Sequence, residues 1–94
     1  MYSLVVARGV LKELGNVKRY PAKQFRQIVL KILGLTFDPR PADVKKVSDG
    51  FRVDVGEYRI YYEIDDGAKT VTVLLVDKRG DDRIYRRLKR KYGS

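Results

Sequence analysis

This chain of 94 residues has no cysteine and no histidine. The absence of cysteine excludes disulfide bonds, thiol catalysis and cysteine-based metal sites, and it is compatible with a reducing compartment. The absence of histidine removes the commonest general base and the commonest transition-metal ligand. Any catalysis must therefore use arginine, lysine, tyrosine or carboxylate side chains.

Long hydrophobic runs are also missing. The apolar runs are a few residues long, far short of the ~20 residues that span a membrane. The first seven residues lack the basic and hydrophobic regions of a signal peptide. We therefore expect no membrane association, and a length of 94 residues predicts a single domain, 1–94, with a modest core of its own.

Acidic residues are scarce relative to basic ones, 12 against 21, which gives a formal net charge of +9. Residues 78–91 contain eight basic residues and two aspartates, so this one segment carries +6 of that charge. A surplus concentrated in one segment predicts a polyanion or an acidic protein as partner.

Residues 50–78 have the pattern of three antiparallel strands joined by two tight turns. Gly56-Glu57 predicts a type II′ turn, and Asp66-Gly67 predicts a type I′ turn with positive φ at both central residues. The two registers agree on one apolar face, composed of Phe51, Val53, Val55, Tyr58, Ile60, Tyr62, Val71, Val73 and Leu75. The opposite face then carries Arg52, Asp54, Arg59, Tyr61, Glu63, Thr70, Thr72, Leu74 and Val76.

On this second face the predicted register places Arg59 opposite Asp54 and Arg52 opposite Tyr61. One interpretation is a working surface of charged groups and a phenol. The other is a solvent-facing surface with a cross-strand ion pair, which spacing alone favours because surface charge is the common case.

The N-terminal half predicts a short strand at 3–6 that can join the sheet, and a first helix at about 7–15 with Gly15 at its C′ position. A second helix begins at Pro21 and is closed by Gly34. Its apolar stripe, which we expect to be core, consists of Phe25, Ile28, Val29, Ile32 and Leu33. The two helices form a hairpin over the apolar face of the sheet.

Residues 38–41 predict an extended loop and residues 43–49 a polar connector. Lys45 and Lys46 in that connector are either solubilising charges or contacts to a phosphate backbone. Asp81 or Asp82 can cap a basic C-terminal helix over about 81–92. The predicted fold class is α+β, with a small, mainly antiparallel sheet, an N-terminal helical hairpin on one face and a C-terminal basic helix.

The segments GEYRIYYEID and DKRGDDRIYRRL, with a strand between them, resemble the RelE/ParE superfamily of bacterial and archaeal toxins, and the RelE-type messenger-RNA interferases in particular. The order of elements is also the same. The resemblance covers essentially the whole chain, and its specific part runs from Phe51 to Leu88.

This resemblance implies a cytoplasmic toxin of a type II toxin–antitoxin system that cleaves mRNA in the ribosomal A site. The reaction is free of metals and cofactors, because the ribose 2′-hydroxyl attacks the adjacent phosphate. The implied partners are the ribosome, its mRNA and a cognate antitoxin. Such antitoxins lay an acidic or amphipathic segment over the basic surface of the toxin, and we expect this one to cover the Arg52/Arg59 face or to displace the helix at 81–92.

The family's functional residues match Arg59, Arg79, Tyr85 and Arg52 of this chain. Arginine suits phosphate charge because its planar fork matches two oxygens and stays charged. Asp54 stands where RelE-type enzymes often carry a second basic residue, so it is either a carboxylate base or an ion-pair partner of Arg59. Further RNA contacts are expected at Lys45, Lys46, Lys78, Arg83 and Arg86. Without the resemblance, Arg79 is a surface turn residue and Tyr85 a core tyrosine.

Two alternatives from other classes accompany this prediction. The first is a ParE-type toxin that acts by binding DNA gyrase and cleaves no RNA. ParE-like members tend to lack the Arg/Arg/Tyr set that this chain retains. The second is an inactive relative.

Overall fold

A five-stranded sheet and two helices make up the part of the chain that the structure, a computed structural model, describes: residues 1–15 and 21–78. The elements are β1 (Ser3–Val6), α1 (Arg8–Leu14), α2 (Ala22–Leu35), β2 (Lys45–Val47), β3 (Gly50–Val55), β4 (Tyr58–Asp65) and β5 (Thr70–Lys78). The strand order is β1-β5-β4-β3-β2, with β1 parallel to β5 and the other pairs antiparallel. The α+β class and the mainly antiparallel sheet are confirmed. The predicted helix at 81–92 lies outside the described residues.

The core lies between both helices and one face of the sheet. Its buried side chains are Val10, Leu14, Ile28, Ile32, Leu35, Val53, Tyr58, Ile60, Tyr62, Val71, Val73 and Val76. Fully burying one such aliphatic side chain stabilises the fold by about 1.5–3 kcal/mol. Both helices and the strands β3, β4 and β5 each contribute buried side chains to this cluster.

Helix α2 departs from the predicted stripe at its C-terminal end. It continues through Gly34 to Leu35, which is 1% exposed, and ends at Thr36, whose hydroxyl donates to the Leu33 carbonyl at 2.7 Å. Leu35 joins the core, whereas Phe25 and Leu33 remain 40% and 46% exposed. The prediction that the whole stripe is core was therefore wrong for these two residues.

The turn between β3 and β4 confirms its prediction. Gly56 has φ +56, as the first central residue of a type II′ turn requires, and Glu57 has no positive φ. The resulting register pairs Val55 with Tyr58 and Asp54 with Arg59, and it continues to Phe51 opposite Tyr62.

The turn between β4 and β5 differs from its prediction. Asp65 pairs with Thr70, so four residues form the loop, and the positive φ falls at Lys69 rather than at Asp66 and Gly67. The reason is local: the Asp65 carboxylate accepts the Ala68 N–H at 2.9 Å, which stabilises a wider turn. Four-residue hairpin loops are a common alternative to the type I′ turn.

A β-bulge changes the register further along the same hairpin. Tyr62 pairs with Val73 and Tyr61 with Leu75, which leaves Leu74 as the extra residue. Beyond the bulge, Val76 lies opposite Ile60 and enters the core, while Leu75 moves to the other face. The predicted faces of Leu75 and Val76 are therefore exchanged.

Two smaller predictions were also wrong. The polar connector at 43–49 contains the three-residue edge strand β2, in which Lys45 pairs with Arg52 and Lys46 with Phe51. Lysines on a short edge strand discourage pairing with other chains. Gly15 does follow α1, but with φ −74 rather than in a left-handed conformation.

A hydrogen-bonded clamp joins Tyr2, the loop after α2 and the β4–β5 loop. The Tyr2 hydroxyl donates to Asp66 Oδ1 at 2.6 Å, and Arg40 donates to both Asp66 oxygens at 3.2 and 2.9 Å. The Arg40 guanidinium also lies 5.3 Å from the centroid of the Phe51 ring. The Tyr62 hydroxyl donates to the Pro39 carbonyl at 2.6 Å, and burial raises the pKa of Tyr62.

The clamp predicts a pH dependence of stability. Hydrogen bonds from Arg40 and Tyr2 lower the pKa of Asp66 from 3.8 to about 2. Because the folded pKa is the lower one, the stabilisation is complete above pH ~4 and is lost as the pH falls towards 2. We expect Asp66→Asn to lower the melting temperature at pH 6, and we expect its difference from wild type to shrink between pH 4 and 2. Asp49→Asn, an exposed control, should show no such convergence.

Candidate active site

Arg59 lies at the centre of a row of charged residues across three strands. Its cross-strand partners are Asp54 on β3 and Asp77 on β5. The next row places Arg52 between Lys45 on β2 and Tyr61 on β4. The sheet thus brings three of the predicted catalytic residues, together with Lys45, to one face. We call this surface the arginine face and define it by Arg52, Asp54 and Arg59.

Asp54 contacts both arginines through a single oxygen. Its Oδ1 is 3.4 Å from Arg52 Nη1 and 3.3 Å from Arg59 Nε. The side chains of Arg52, Arg59 and Asp54 are 16%, 20% and 33% exposed, so the cluster is partly shielded from solvent. The same carboxylate oxygen therefore lies within ion-pair distance of both guanidinium groups.

Arg59 Nε is buried, and it makes no hydrogen bond of good geometry within the described part of the chain. Its 3.3 Å separation from Asp54 Oδ1 satisfies an ion-pair distance, while the angular requirement of a hydrogen bond is not met. A buried donor in this condition needs an explanation, and a role in a functional site is one such explanation.

The floor of the arginine face is an aromatic side chain. Tyr61 is fully buried and packs with Val47, Leu74 and Leu75. A Cβ on Gly50 would lie 2.6 Å from the Tyr61 hydroxyl oxygen and 2.7 Å from the Tyr62 carbonyl oxygen. Residue 50 therefore has to lack a side chain if Tyr61 is to keep its buried position.

The interpretation of this face as a solvent-facing surface therefore does not hold for all of its residues. Tyr61 and Asp77 are 0% exposed. The bulge contributes to the burial of Tyr61, because it places both Leu74 and Leu75 beside this side chain. Asp77 was also missing from the predicted site residues. Its Oδ1 accepts the Lys78 N–H at 2.8 Å, and its place beside Arg59 becomes visible only with the shifted register.

The other predicted residues divide into three groups. Lys45 is exposed and neighbours Arg52, whereas Lys46 pairs with Phe51 and so belongs to the other face of the sheet. Lys78 is the exposed last residue of β5, opposite Tyr58. The remaining four predicted residues lie outside the described residues: Arg79, Arg83, Tyr85 and Arg86.

An apolar groove forms a second surface, on the side of the helices. It has a volume of about 340 Å³, and its lining includes Leu4 and Val6 of β1, Leu11 of α1, and Phe25 and Leu33 of α2. We call it the helix groove. Leu11 is 60% exposed. The two helices that flank the groove carry five basic residues, Arg8, Lys12, Lys23, Arg26 and Lys31, and one acidic residue, Glu13.

In the described ranges, 1–15 and 21–78, no helix has the length and apolarity needed to cross a membrane.

The fold and the arginine face define a small α+β protein of the RelE-like class. Two crystal structures of toxin–antitoxin complexes contain similar chains. The archaeal RelE–RelB complex from Pyrococcus horikoshii OT3 gives a TM-score of 0.75 and 25% identity, over 85% of this chain and 97% of that one. The RelBE2 complex from Mycobacterium tuberculosis gives a TM-score of 0.70 and 25% identity, over 83% of this chain and 98% of that one.

The isolated RelE toxin of E. coli shares the fold at a TM-score of 0.69 and 21% identity, over 98% of this chain and 99% of that one. A family model described as the ParE toxin of the type II toxin–antitoxin system parDE matches residues 4–83. The chain therefore belongs to this toxin family, within the RelE/ParE superfamily. No curated protein sequence matches it.

Proposed function

We propose that this toxin is a ribosome-dependent mRNA endoribonuclease, and that the arginine face is part of its active site. The observation that supports this proposal is the convergence of two partly buried arginines, Arg52 and Arg59, on one anionic oxygen. Such a pair suits a phosphate group, because guanidinium forks bind phosphate oxygens in a bidentate manner and remain charged at every physiological pH.

The reaction in this proposal is an internal transfer at phosphorus. The ribose 2′-hydroxyl loses its proton and attacks the adjacent phosphate, and the bond from phosphorus to the 5′-oxygen breaks as that oxygen gains a proton. Catalysis requires a base, an acid and stabilisation of the negative charge on the phosphorane. Arg59 and Arg79 stabilise that charge, Arg52 contacts the phosphate, and Tyr85 orients the substrate.

We expect the RNA to make further contacts, beyond those to the reacting phosphate, with the basic residues beside the arginine face. Lys45 is the cross-strand neighbour of Arg52 and is exposed, so it extends the positive surface towards the edge of the sheet. Lys78, the exposed last residue of β5, is a further expected RNA contact, as are Arg83 and Arg86, which follow it in the sequence. Each backbone phosphate neutralised in this way adds to the salt dependence of RNA binding.

The direct test is expression of the chain alone from an inducible promoter, with primer extension on a translated transcript. We expect new 5′ ends within codons of the translated region. Purified protein should cut mRNA on programmed ribosomes in a single turnover without added metal. If translated mRNA stays intact while the protein still inhibits growth, this function is wrong.

A second candidate is binding of DNA gyrase, which the match to the ParE family model favours. Asp54 also favours it, because a carboxylate between the arginines lowers the positive charge available to RNA. Inhibition of gyrase supercoiling by purified toxin, together with intact mRNA, would establish this alternative.

We also propose an antitoxin partner that places an amphipathic, acidic helix in the helix groove. The residues that line the groove are apolar. The helices beside it carry the five basic residues listed above, of which Lys31 pairs with Asp43 at 3.1 Å, against one acidic residue. A helix in a groove is a common mode of recognition, and opposite charges at the rim speed association. Antitoxin contacts to the arginine face and to residues 81–92 stay predictions.

The helix groove yields a prediction about affinity. Leu33→Glu places a negative charge in the groove on a half-exposed position, so the core should be unaffected. We expect antitoxin binding to weaken by about tenfold or more, equivalent to ~1.4 kcal/mol. Leu30→Glu is the matched control, because Leu30 is 63% exposed on the same helix and does not line the groove. Equal affinity of both variants in calorimetry would contradict the proposed location.

A further inference from the structure

We propose that the Asp54 carboxylate occupies the position that a substrate phosphate takes between Arg52 and Arg59, so that Asp54 competes with RNA inside the site. This inference rests on the proposed function of the arginine face. It assigns Asp54 a role that is neither that of a base nor that of a structural ion pair.

The contacts of Asp54 resemble those of a bound anion. One carboxylate oxygen lies 3.4 Å from Arg52 Nη1 and 3.3 Å from Arg59 Nε, on side chains that come from neighbouring strands. These two cations meet at the Asp54 oxygen because the register of β3 and β4 holds Arg59 directly opposite Asp54, with Arg52 two residues away on β3. A phosphate oxygen that contacted Arg52 Nη1 and Arg59 Nε together would have to take the place of this carboxylate oxygen.

The contacts between the Asp54 carboxylate and the two arginines are long, which favours exchange of the carboxylate for a phosphate. Both separations exceed the 2.7–2.9 Å or so of a strong charge-assisted hydrogen bond, and Arg59 Nε is buried without a hydrogen bond in the described part of the chain. Asp54 is the most exposed of the three side chains, at 33%. Exchange with phosphate requires this short side chain to rotate towards solvent while the two arginines keep their places.

A different role for Asp54 leads to the opposite expectation. If Asp54 holds Arg59 in a productive orientation, its removal leaves the guanidinium misplaced and weakens phosphate binding. If Asp54 is an internal competitor, its removal takes away the carboxylate that both arginines share and strengthens phosphate binding. The sign of the change in affinity therefore decides between the two roles.

The experiment measures binding of a single-stranded RNA with 2′-O-methyl groups, which cannot be cleaved, by fluorescence anisotropy over a series of salt concentrations. We expect Asp54→Asn to bind at least about threefold more tightly than wild type at low salt. The slope of log affinity against log salt should be steeper by about 0.7, the value for one more phosphate contact on a single strand. The control for the change in net charge is Asp49→Asn, which removes an exposed carboxylate from the β2–β3 turn. Affinity of Asp54→Asn equal to or below that of Asp49→Asn would overturn the proposal.

A second measurement uses the wild-type protein and does not depend on the folding of a variant. Inorganic phosphate is titrated while the side-chain carboxyl ¹³C signals are followed by NMR. We expect the Asp54 signal to move with phosphate saturation, and the Asp49 signal to stay in place. Phosphate binding that shifts the Arg52 and Arg59 signals without moving Asp54 would refute the exchange. Neither measurement requires cleavage, so a protein that binds phosphate in this way but leaves mRNA intact would contradict the proposed function alone.

Discussion

Replacing Arg59 with alanine is expected to slow single-turnover cleavage of ribosome-bound mRNA by about 10²–10³-fold, which corresponds to ~3–4 kcal/mol of lost transition-state stabilisation. The physical reason is that Arg59 is only 20% exposed, so its charge acts on the phosphorane with little screening by water. Arg59→Lys should also be impaired, because an ammonium group cannot replace a bidentate fork.

The control for this variant is Arg26→Ala, which removes the same charge from an exposed position on α2. It should cleave at nearly the wild-type rate. Melting temperatures of all variants have to be compared, because Arg59 also pairs with Asp54 in the folded protein. Wild-type cleavage by a folded Arg59→Ala protein would remove Arg59 from the site.

Replacing Gly50 with alanine is expected to have the largest effect on stability. The added Cβ would lie 2.6 Å from the Tyr61 hydroxyl oxygen and 2.7 Å from the Tyr62 carbonyl oxygen. The carbonyl belongs to the neighbouring strand and cannot rotate away, so β3 and β4 have to separate or Tyr61 has to leave its buried position. Overpacking of this kind costs about 1–3 kcal/mol, which lowers the melting temperature of a domain of this size by roughly 4–8 °C per kcal/mol.

Gly34→Ala is the matched control for that measurement. A Cβ at Gly34 meets nothing within 4 Å, and the residue lies inside helix α2. Alanine in a helix interior is more favourable than glycine by about 0.5–1 kcal/mol, so this variant should melt at or above the wild-type temperature. Thermal unfolding followed by circular dichroism gives both values, and a Gly50→Ala protein as stable as wild type would contradict the close approach.

Much of the arginine face could be predicted from the sequence because one turn determines its register. Gly56 is placed where a type II′ turn needs a positive φ, and the pairing of Asp54 with Arg59 follows from counting outwards from it. The second hairpin could not be predicted in the same way. There the Ala68 backbone N–H donates a hydrogen bond to the Asp65 carboxylate, which favours a wider loop over the type I′ turn. The alternation of apolar and polar residues in β5 also gives no sign of the bulge at Leu74.

Tertiary contacts explain the remaining differences. Asp77 was not predicted beside Arg59, because the wider turn shifts the pairing of β5 by two residues and the bulge shifts it by one more. A shift by an odd number of residues moves a side chain to the opposite face of the sheet. The burial of Tyr61 depends on a contact with Gly50, which lies on another strand. In α2 the helical period predicted the apolar stripe, but it could not show that the sheet covers only part of it.

The parallel pairing of β1 with β5 has a consequence for the time at which the protein can fold. Ser3 pairs with Thr70, so the edge strand β1 has no partner until nearly seventy further residues have been made. Closing so long a loop is slow compared with forming the local β3–β4 hairpin. The chain therefore completes its sheet only when β5 has emerged from the ribosome, and a toxin with this topology stays unfolded at that edge until then.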